Sequence, residues 1–158
     1  MNEKETINFA YSVIDKCIYA VLSTISPDNT PYGVPINIAR IGDNLYFHSA
    51  KEGQKVINLI NNPVVCVTCV GDVRINQDKH ITSYESAIVF GKAEVVEQEH
   101  EVFNALKALC LKYTPDNMIR FDIEYNERHA KSYVFKIRID KISAKKIKYD
   151  NKTNELKI

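Results

Sequence analysis

The chain of 158 residues is long enough for one domain and short for two, so we expect a single domain over 1–158. It carries 21 basic and 20 acidic residues, and the resulting net charge of +1 gives no bulk electrostatic basis for binding nucleic acid. Hydrophobic residues make up 45% of the chain and charged residues 26%, which is typical of a soluble globular protein and excludes a disordered or fibrous chain.

The sequence contains no candidate for a membrane helix or a signal peptide. No apolar run approaches the ~20 residues that a membrane helix needs, and the polar N-terminus is not followed by a long apolar region. We therefore expect a cytoplasmic protein that does not bind a membrane. In that reducing compartment, Cys17, Cys66, Cys69 and Cys110 are expected to be free thiols.

Hydrophobic periodicity divides the first half of the chain into short elements. Apolar residues at helical spacing predict a helix over 3–16. Alternating apolar positions between turn residues then predict three strands, over 18–25, 32–41 and 45–49. Their close spacing favours an antiparallel meander. A second helix is predicted over 53–61 and ends before Pro63, which cannot continue it.

The second half of the chain contains three further predicted strands and two helical regions: strands over 64–70, 83–96 and 132–142, and helices over 97–113 and within 117–131. The polar residues 71–81 predict an irregular segment, and Gly91 predicts a bulge or a close backbone approach. The basic stretch from Ser143 is interpreted as a frayed strand or tail. About six strands without a βαβ rhythm predict a mainly β fold, an antiparallel barrel with peripheral helices.

The segment from Tyr46 to Val56 predicts an anion site. A strand ends there, a short loop with a hydroxyl, a glycine and two lysines follows, and a helix begins. The unpaired amides at a helix start and a nearby lysine suit a phosphate group. The alternative is an ordinary solvated loop with charged residues.

Four motifs in register resemble a known family. They are Pro31–Asn37 (PYGVPIN), Leu45–Lys55 (LYFHSAKEGQK), Asn62–Cys66 (NPVVC) and Tyr84–Val96 (YESAIVFGKAEVV). Together they are similar to the FMN-binding split β-barrel family related to pyridoxamine 5′-phosphate oxidase, and in particular to its nitroimidazole-resistance flavoproteins. The resemblance covers roughly residues 7–113 and, more weakly, the final strand.

This resemblance implies a homodimer with FMN at the subunit interface. It implies that Pro35, Ile36 and Asn37 lie on the strand that backs the flavin ring, and that His48, Ser49 and Ala50 end the next strand beside the ring and ribityl chain. It also implies that the following helix start, with Gly53, Lys55 and Val56, holds the phosphate. A later strand opens near the cofactor with Tyr84, Glu85 and Ser86.

Three departures separate the chain from the family pattern. Thr30 replaces a usual glycine, and Ser143-Ala144-Lys145 replaces a Thr-Gly-Lys-like ending. The Arg-Lys pair of the true oxidase is absent from the phosphate loop, so oxidation of pyridoxamine phosphate is not the favoured activity.

The remaining candidate residues give weaker evidence for a functional site. Cys66 and Cys69 lie three apart on a predicted strand, where they point to opposite faces, so no metal site is expected. His48 is the one histidine inside the family motif and is the candidate catalytic residue, as a hydrogen-bond partner or acid. The 23 residues from Lys136 hold eight Lys or Arg and three Asp or Glu, which indicates a solvated face or attraction of an anionic substrate or NAD(P)H.

The favoured function is an FMN-dependent oxidoreductase. In it, NAD(P)H supplies electrons that pass to a small acceptor such as a nitro compound. The alternative is a flavin- or haem-binding carrier or sensor without turnover, and the low net charge disfavours a third class, a single-stranded nucleic-acid binder.

Overall fold

The computed structural model describes residues 2–150, 153 and 155–157. They form four α-helices, two short 3-10 helices and eight strands. The helices are α1 (Glu3–Lys16), α2 (Gln54–Asn61), α3 (Glu99–Tyr113) and α4 (Phe121–Arg128), with 3-10 turns at Pro115–Arg120 and His129–Lys131. The strands are β1 (Ala20–Ile25), β2 (Pro31–Ile36), β3 (Ala39–Ile41), β4 (Asn44–Ala50), β5 (Val64–Asn76), β6 (Ile81–Val95), β7 (Ser132–Asp150) and β8 (Glu155–Lys157).

The strands form one antiparallel sheet in the order β2-β1-β5-β6-β7-β4-β3, with β8 paired to β7. Residues 37 and 38 link β2 directly to β3, so the chain joins the two ends of this path. This mainly antiparallel sheet with peripheral helices confirms the predicted fold class. No helix among the described residues is both long and apolar enough to cross a membrane.

The structure extends the predicted strands in two places. The prediction of an irregular segment over 71–81 was wrong outside the turn at 77–80, because β5 continues to Asn76 and β6 begins at Ile81, with pairs such as Arg74 with Ser83. The residues from Ser143 continue β7, where Lys145 pairs with Ser86. Backbone hydrogen bonds extend a ladder whatever the polarity of its outward side chains, so polar composition alone concealed these extensions.

The strand predicted over 32–41 is two strands, β2 and β3, separated by Asn37 and Ile38. With β8, which was not predicted, the described residues form eight strands where about six were predicted. The helical interpretation of 117–131 is confirmed by α4 and the two 3-10 turns beside it. At Gly91 the β6–β7 register shifts, as predicted from the glycine.

The core explains how the chain presents its candidate site. Leu45 and Phe47 of β4 point into the barrel, where the Phe47 and Phe135 rings stack at 5.0 Å between centroids. Tyr46, on the other face of β4, is 4% exposed because α3 covers it, and its hydroxyl donates to Glu101 at 2.7 Å. Both faces of β4 are thus buried until the strand emerges at His48, which is exposed.

Candidate functional site

One shallow cavity of about 300 Å³ gathers residues from four parts of the chain. It is lined by Tyr19, Pro35, Ile36, Asn37, His48 and Lys55. The end of β2, the end of β4 and the start of α2 therefore meet at one place. Five predicted cofactor-binding residues are brought together here by the fold.

The start of α2 supplies an anion-binding geometry. Gly53, its N-cap, has φ = +119°, a backbone conformation that favours glycine. The amides of Val56 and Ile57 donate to the Gly53 carbonyl at 3.0 and 3.2 Å. The amides of Gln54 and Lys55 precede these bonds and have no partner earlier in the helix. With the Lys55 ammonium and the helix dipole, they make this end of the cavity attractive to a phosphate.

His48 is the titratable group at the centre of the cavity wall. Although the His48 side chain is exposed, the surrounding protein partly desolvates its ring. This desolvation, and then the positive charge of Lys55, lower the pKa of His48 below 6.5. The imidazole is therefore neutral at pH 7 and offers one nitrogen as a donor and the other as an acceptor.

The other residues predicted near His48 are placed less directly. Ser49 is buried, and its hydroxyl donates to the carbonyl of Ala50 at 2.9 Å. Ala50 is exposed at the end of β4. The Val56 side chain is buried in the core, with Val56 3% exposed, and the Val56 amide is already bonded to Gly53. Neither the side chain nor the amide of Val56 therefore faces the cavity.

The residues predicted on β6 line a different cavity within the chain. Tyr84 and Glu85 border a space of about 500 Å³ together with Arg74, Lys146 and Lys148. Burial disfavours the charge on Glu85, but ion pairs with Lys16 and with Lys146, the latter at 2.7 Å, outweigh it and lower the pKa of this carboxyl. Ser86 pairs with Val70 and Lys145 in the sheet. One chain alone does not bring these residues into the cavity of His48.

Tyr19 is a cavity residue that the sequence did not indicate. Its side chain is 57% exposed and belongs to the short connection between α1 and β1. It directly precedes β1, in which Val21 pairs with Pro35 across the sheet. This register is the only signal that would have found Tyr19, and it is not visible in the sequence.

The cysteines differ in burial, and Cys17 and Cys69 are the two buried ones. Cys69 is buried, whereas Cys66 on the opposite face of β5 is partly exposed, as predicted from their spacing. The interaction with the Cys69 thiol, together with the nearby Lys112 ammonium, lowers the pKa of Cys17 to about 7 despite burial. Among the described residues, no group of three or more His, Cys, Asp or Glu could hold a metal ion.

The barrel and its cavity at a helix start define a protein of the split-barrel class. The chain belongs to the family described as pyridoxamine 5′-phosphate oxidase, whose model matches residues 10–146. This confirms the resemblance found in the sequence. A comparison with curated proteins found no match.

Solved structures share this fold. A candidate 5-nitroimidazole antibiotic resistance protein from Bacteroides thetaiotaomicron is 26% identical with a TM-score of 0.75, and the match covers 91% of this chain and 84% of that one. An FAD and haem binding protein from Mycobacterium smegmatis is 21% identical with a TM-score of 0.72, over 85% and 67% of the two chains. An FAD-binding protein from Mesorhizobium loti is 20% identical with a TM-score of 0.60, over 92% and 95%. At their lower identities, the last two support the fold alone.

Proposed function

We propose that this protein is an FMN-dependent oxidoreductase that passes electrons from NAD(P)H to a small acceptor such as a nitro compound. The observation that carries the proposal is the shared cavity of Lys55, His48 and the end of β2. Bound FMN supplies hydride and single-electron chemistry that no side chain of the cavity can supply.

The chain's own residues divide the binding task by their chemistry. The Lys55 ammonium and the first amides of α2 suit the phosphate. Pro35, exposed near the end of β2, offers an apolar surface for a planar ring, Ile36 supports it from the core, and the Asn37 amide offers polar contacts at the edge of the ring. The neutral imidazole of His48 can donate a hydrogen bond to a ring or an acceptor beside it, and the imidazolium formed when it takes up a proton can act as a general acid.

FMN is proposed rather than FAD, because one anion cradle is described at the cavity and the sequence has no G-x-G-x-x-G loop for a pyrophosphate. Two of the structural relatives are described as binding FAD. The identity of the flavin is therefore the first measurement to make.

We further propose a homodimer with the cofactor at the interface. The outer face of β5 and β6 leaves Val64, Val70 and Phe90 between 46% and 50% exposed, which is a patch that a second copy would cover. The 300 Å³ cavity of one chain is also at the small end for a cofactor. Tyr84 of the partner subunit and Ser86 of the partner subunit are the proposed additional contacts.

The proposed setting is the cytoplasm, where the four cysteines stay reduced, in agreement with their free thiols.

The deciding experiment combines reconstitution with reduction. The purified protein is incubated with FMN or FAD, freed of excess flavin, and its retained flavin is identified by chromatography. NADH or NADPH is then added without oxygen, and loss of flavin absorbance is followed before and after a nitro compound is supplied. We expect FMN retention, bleaching, and recovery of the absorbance on adding the acceptor.

Each other result has a defined meaning. Retention of FAD alone overturns the assignment of the cofactor. Retention of FMN without bleaching supports a carrier or sensor that does not turn over. A folded, FMN-loaded His48→Ala variant is expected to lose ~10²–10⁴-fold in acceptor reduction with little change in melting temperature.

A further inference from the structure

The corner between β2 and β3 is held by a residue from the far end of α3. The Ile38 amide donates to the Tyr113 hydroxyl at 3.0 Å, and this hydroxyl donates back to the Ile38 carbonyl at 3.2 Å. One hydroxyl has one proton to give and lone pairs to accept with, so it can satisfy both backbone groups of Ile38.

The preceding residue of α3 adds a charged contact at the same corner. The Lys112 ammonium donates to the Ile38 carbonyl at 3.0 Å and to the Ile14 carbonyl at 2.8 Å. It also lies 3.7 Å from the Cys17 sulfur. Its three N–H groups thus have three acceptors, which tie the end of α1 to the β2–β3 corner.

These contacts matter because of where Ile38 lies. Ile38 is fully buried, although Asn37 beside it is exposed, so water cannot readily replace a lost partner of the Ile38 backbone. Removing one partner of a buried backbone group leaves the other with the full cost of desolvation. The corner is therefore expected to shift when either side chain is shortened.

The same corner forms one wall of the candidate site. Asn37 directly precedes Ile38, and with Pro35 and Ile36 it faces His48 across the cavity. The opposite wall belongs to β4 and α2, and β4 pairs with β3 directly after the corner, where Ala39 lies opposite Tyr46. The position of the Pro35–Asn37 wall thus depends on this pairing and on how Lys112 and Tyr113 hold Ile38 between β2 and β3.

We infer that Lys112 and Tyr113 are positioning residues of the candidate site, which fix the β2–β3 corner so that its wall fits the flavin. This inference rests on the proposed function, because FMN is the ligand whose fit is at stake. Neither residue lines the cavity. Any effect of Tyr113 on binding therefore acts through Ile38, and any effect of Lys112 acts through Ile38 or the end of α1.

The test uses two variants, each with a matched control. Tyr113→Phe removes one oxygen atom, and Tyr11→Phe removes a hydroxyl that instead bonds Asp43 at 2.8 Å. Lys112→Met keeps the aliphatic stem, and Lys107→Met removes an exposed cation from the same helix. Amide hydrogen exchange at Ile38 and the Kd for FMN, from quenching of flavin fluorescence, are measured well below the melting temperature of each variant.

We expect Tyr113→Phe to accelerate exchange of the Ile38 amide and to weaken FMN about tenfold, as loss of a buried hydrogen-bond partner would do. Lys112→Met should weaken FMN at least as much, and both control variants should bind FMN like the wild type. A merely structural role would lower the melting temperature and leave the Kd of the folded protein unchanged, and that result would overturn the inference.

Two further outcomes separate this inference from the proposed function. If the wild type retains no FMN, the proposed function fails and the positioning role fails with it, whatever the exchange rates are. If the wild type retains FMN but Tyr113→Phe binds equally well, only the positioning role is overturned. Should Lys112→Met not fold, Tyr113→Phe decides the question alone.

Discussion

Lys55 and His48 line the same cavity, and the Lys55 ammonium adds to burial in lowering the pKa of the His48 imidazole. The two residues come from different elements, the first turn of α2 and the end of β4. A phosphate bound at α2 would compensate the charge of Lys55 and so ease protonation of His48. The anion cradle and the candidate proton donor are therefore electrostatically linked.

The first prediction concerns this pair. In the free protein, histidine NMR signals followed against pH should give His48 a pKa below 6.5. Lys55→Met should raise that pKa without restoring it fully, because burial is the larger cause. Since the folded pKa lies below the unfolded one, His48 favours the folded state least in acid, and its contribution is lost as pH falls below 6.5. An unchanged pKa in Lys55→Met would contradict the linkage; Lys51→Met serves as the control.

The second prediction tests the phosphate contact. Lys55→Met should weaken FMN binding by about 10- to 100-fold, the range expected for a lost charge-assisted hydrogen bond. Lys51→Met should have little effect, because the Lys51 ammonium lies 5.5 Å from the centre of the Tyr133 ring and outside the cavity. Titration of flavin fluorescence distinguishes the two. Equal affinities for the wild type and Lys55→Met would show that another group holds the phosphate.

The third prediction concerns the exposed face of β5 and β6. Light scattering of the wild type at micromolar concentration should give about twice 18.1 kDa. Phe90→Asp should give a monomer with less retained FMN, because a carboxylate would be buried in the interface. Ile119→Asp is the control, since Ile119 is 91% exposed and lies in the Pro115–Arg120 turn. A wild-type monomer that retains FMN would rule out a shared site.

The fourth prediction follows from the Cys17–Cys69 pair. The pKa of Cys17 falls from 9.0 to about 7 in the folded protein, so its thiolate stabilises the fold as pH rises from 7 towards 9 and this contribution is lost below 7. Hydrogen bonding to Cys17, burial and the charge of Cys17 raise the pKa of Cys69, so stability should fall again above pH 9. Urea unfolding across this range should show a maximum. Cys17→Ser should remove the rise and Cys110→Ser should keep it.

The fifth prediction concerns two glycines. A Cβ at Gly91 would lie 2.1 Å from the Arg138 carbonyl oxygen, whereas at Gly33 the nearest atom would be a Val21 methyl carbon at 3.6 Å. Gly91→Ala should therefore cost ~1–3 kcal/mol of unfolding free energy or more, and Gly33→Ala less than ~1 kcal/mol. Denaturant unfolding of both variants is the measurement. Equal costs would mean that β6 and β7 can move apart at the bulge.

Local patterns in the sequence were enough to predict the fold class. Periodicity located the helices and the short strands, and Gly91 indicated the bulge, because such features depend on residues close together in the chain. Polar residues between 71 and 81 hid the extension of β5 and β6, since there the pairing partner, and not the side-chain pattern, decides the structure.

In the candidate site, the sequence predicted the residues that lie within the family motifs and missed those outside them. Pro35, His48 and Lys55 carry the family pattern and do meet in one cavity. Tyr113 and Lys112 could not be predicted, because they reach Ile38 across 75 and 74 residues of chain and have no motif of their own. Contacts made by the tertiary fold leave no local signal in the sequence.

The position of β7 in the sheet matters while the chain is being synthesised. The strand that carries His48 has two sheet neighbours, β3 beside it in the chain and β7, where His48 pairs with Val134. A ribosome therefore produces β4 long before it produces the strand that covers its second edge, and until then that edge is open to wrong partners. Cofactor uptake at the His48 wall should follow translation of β7, and a flavin-deficient growing chain is most exposed to misassociation before that point.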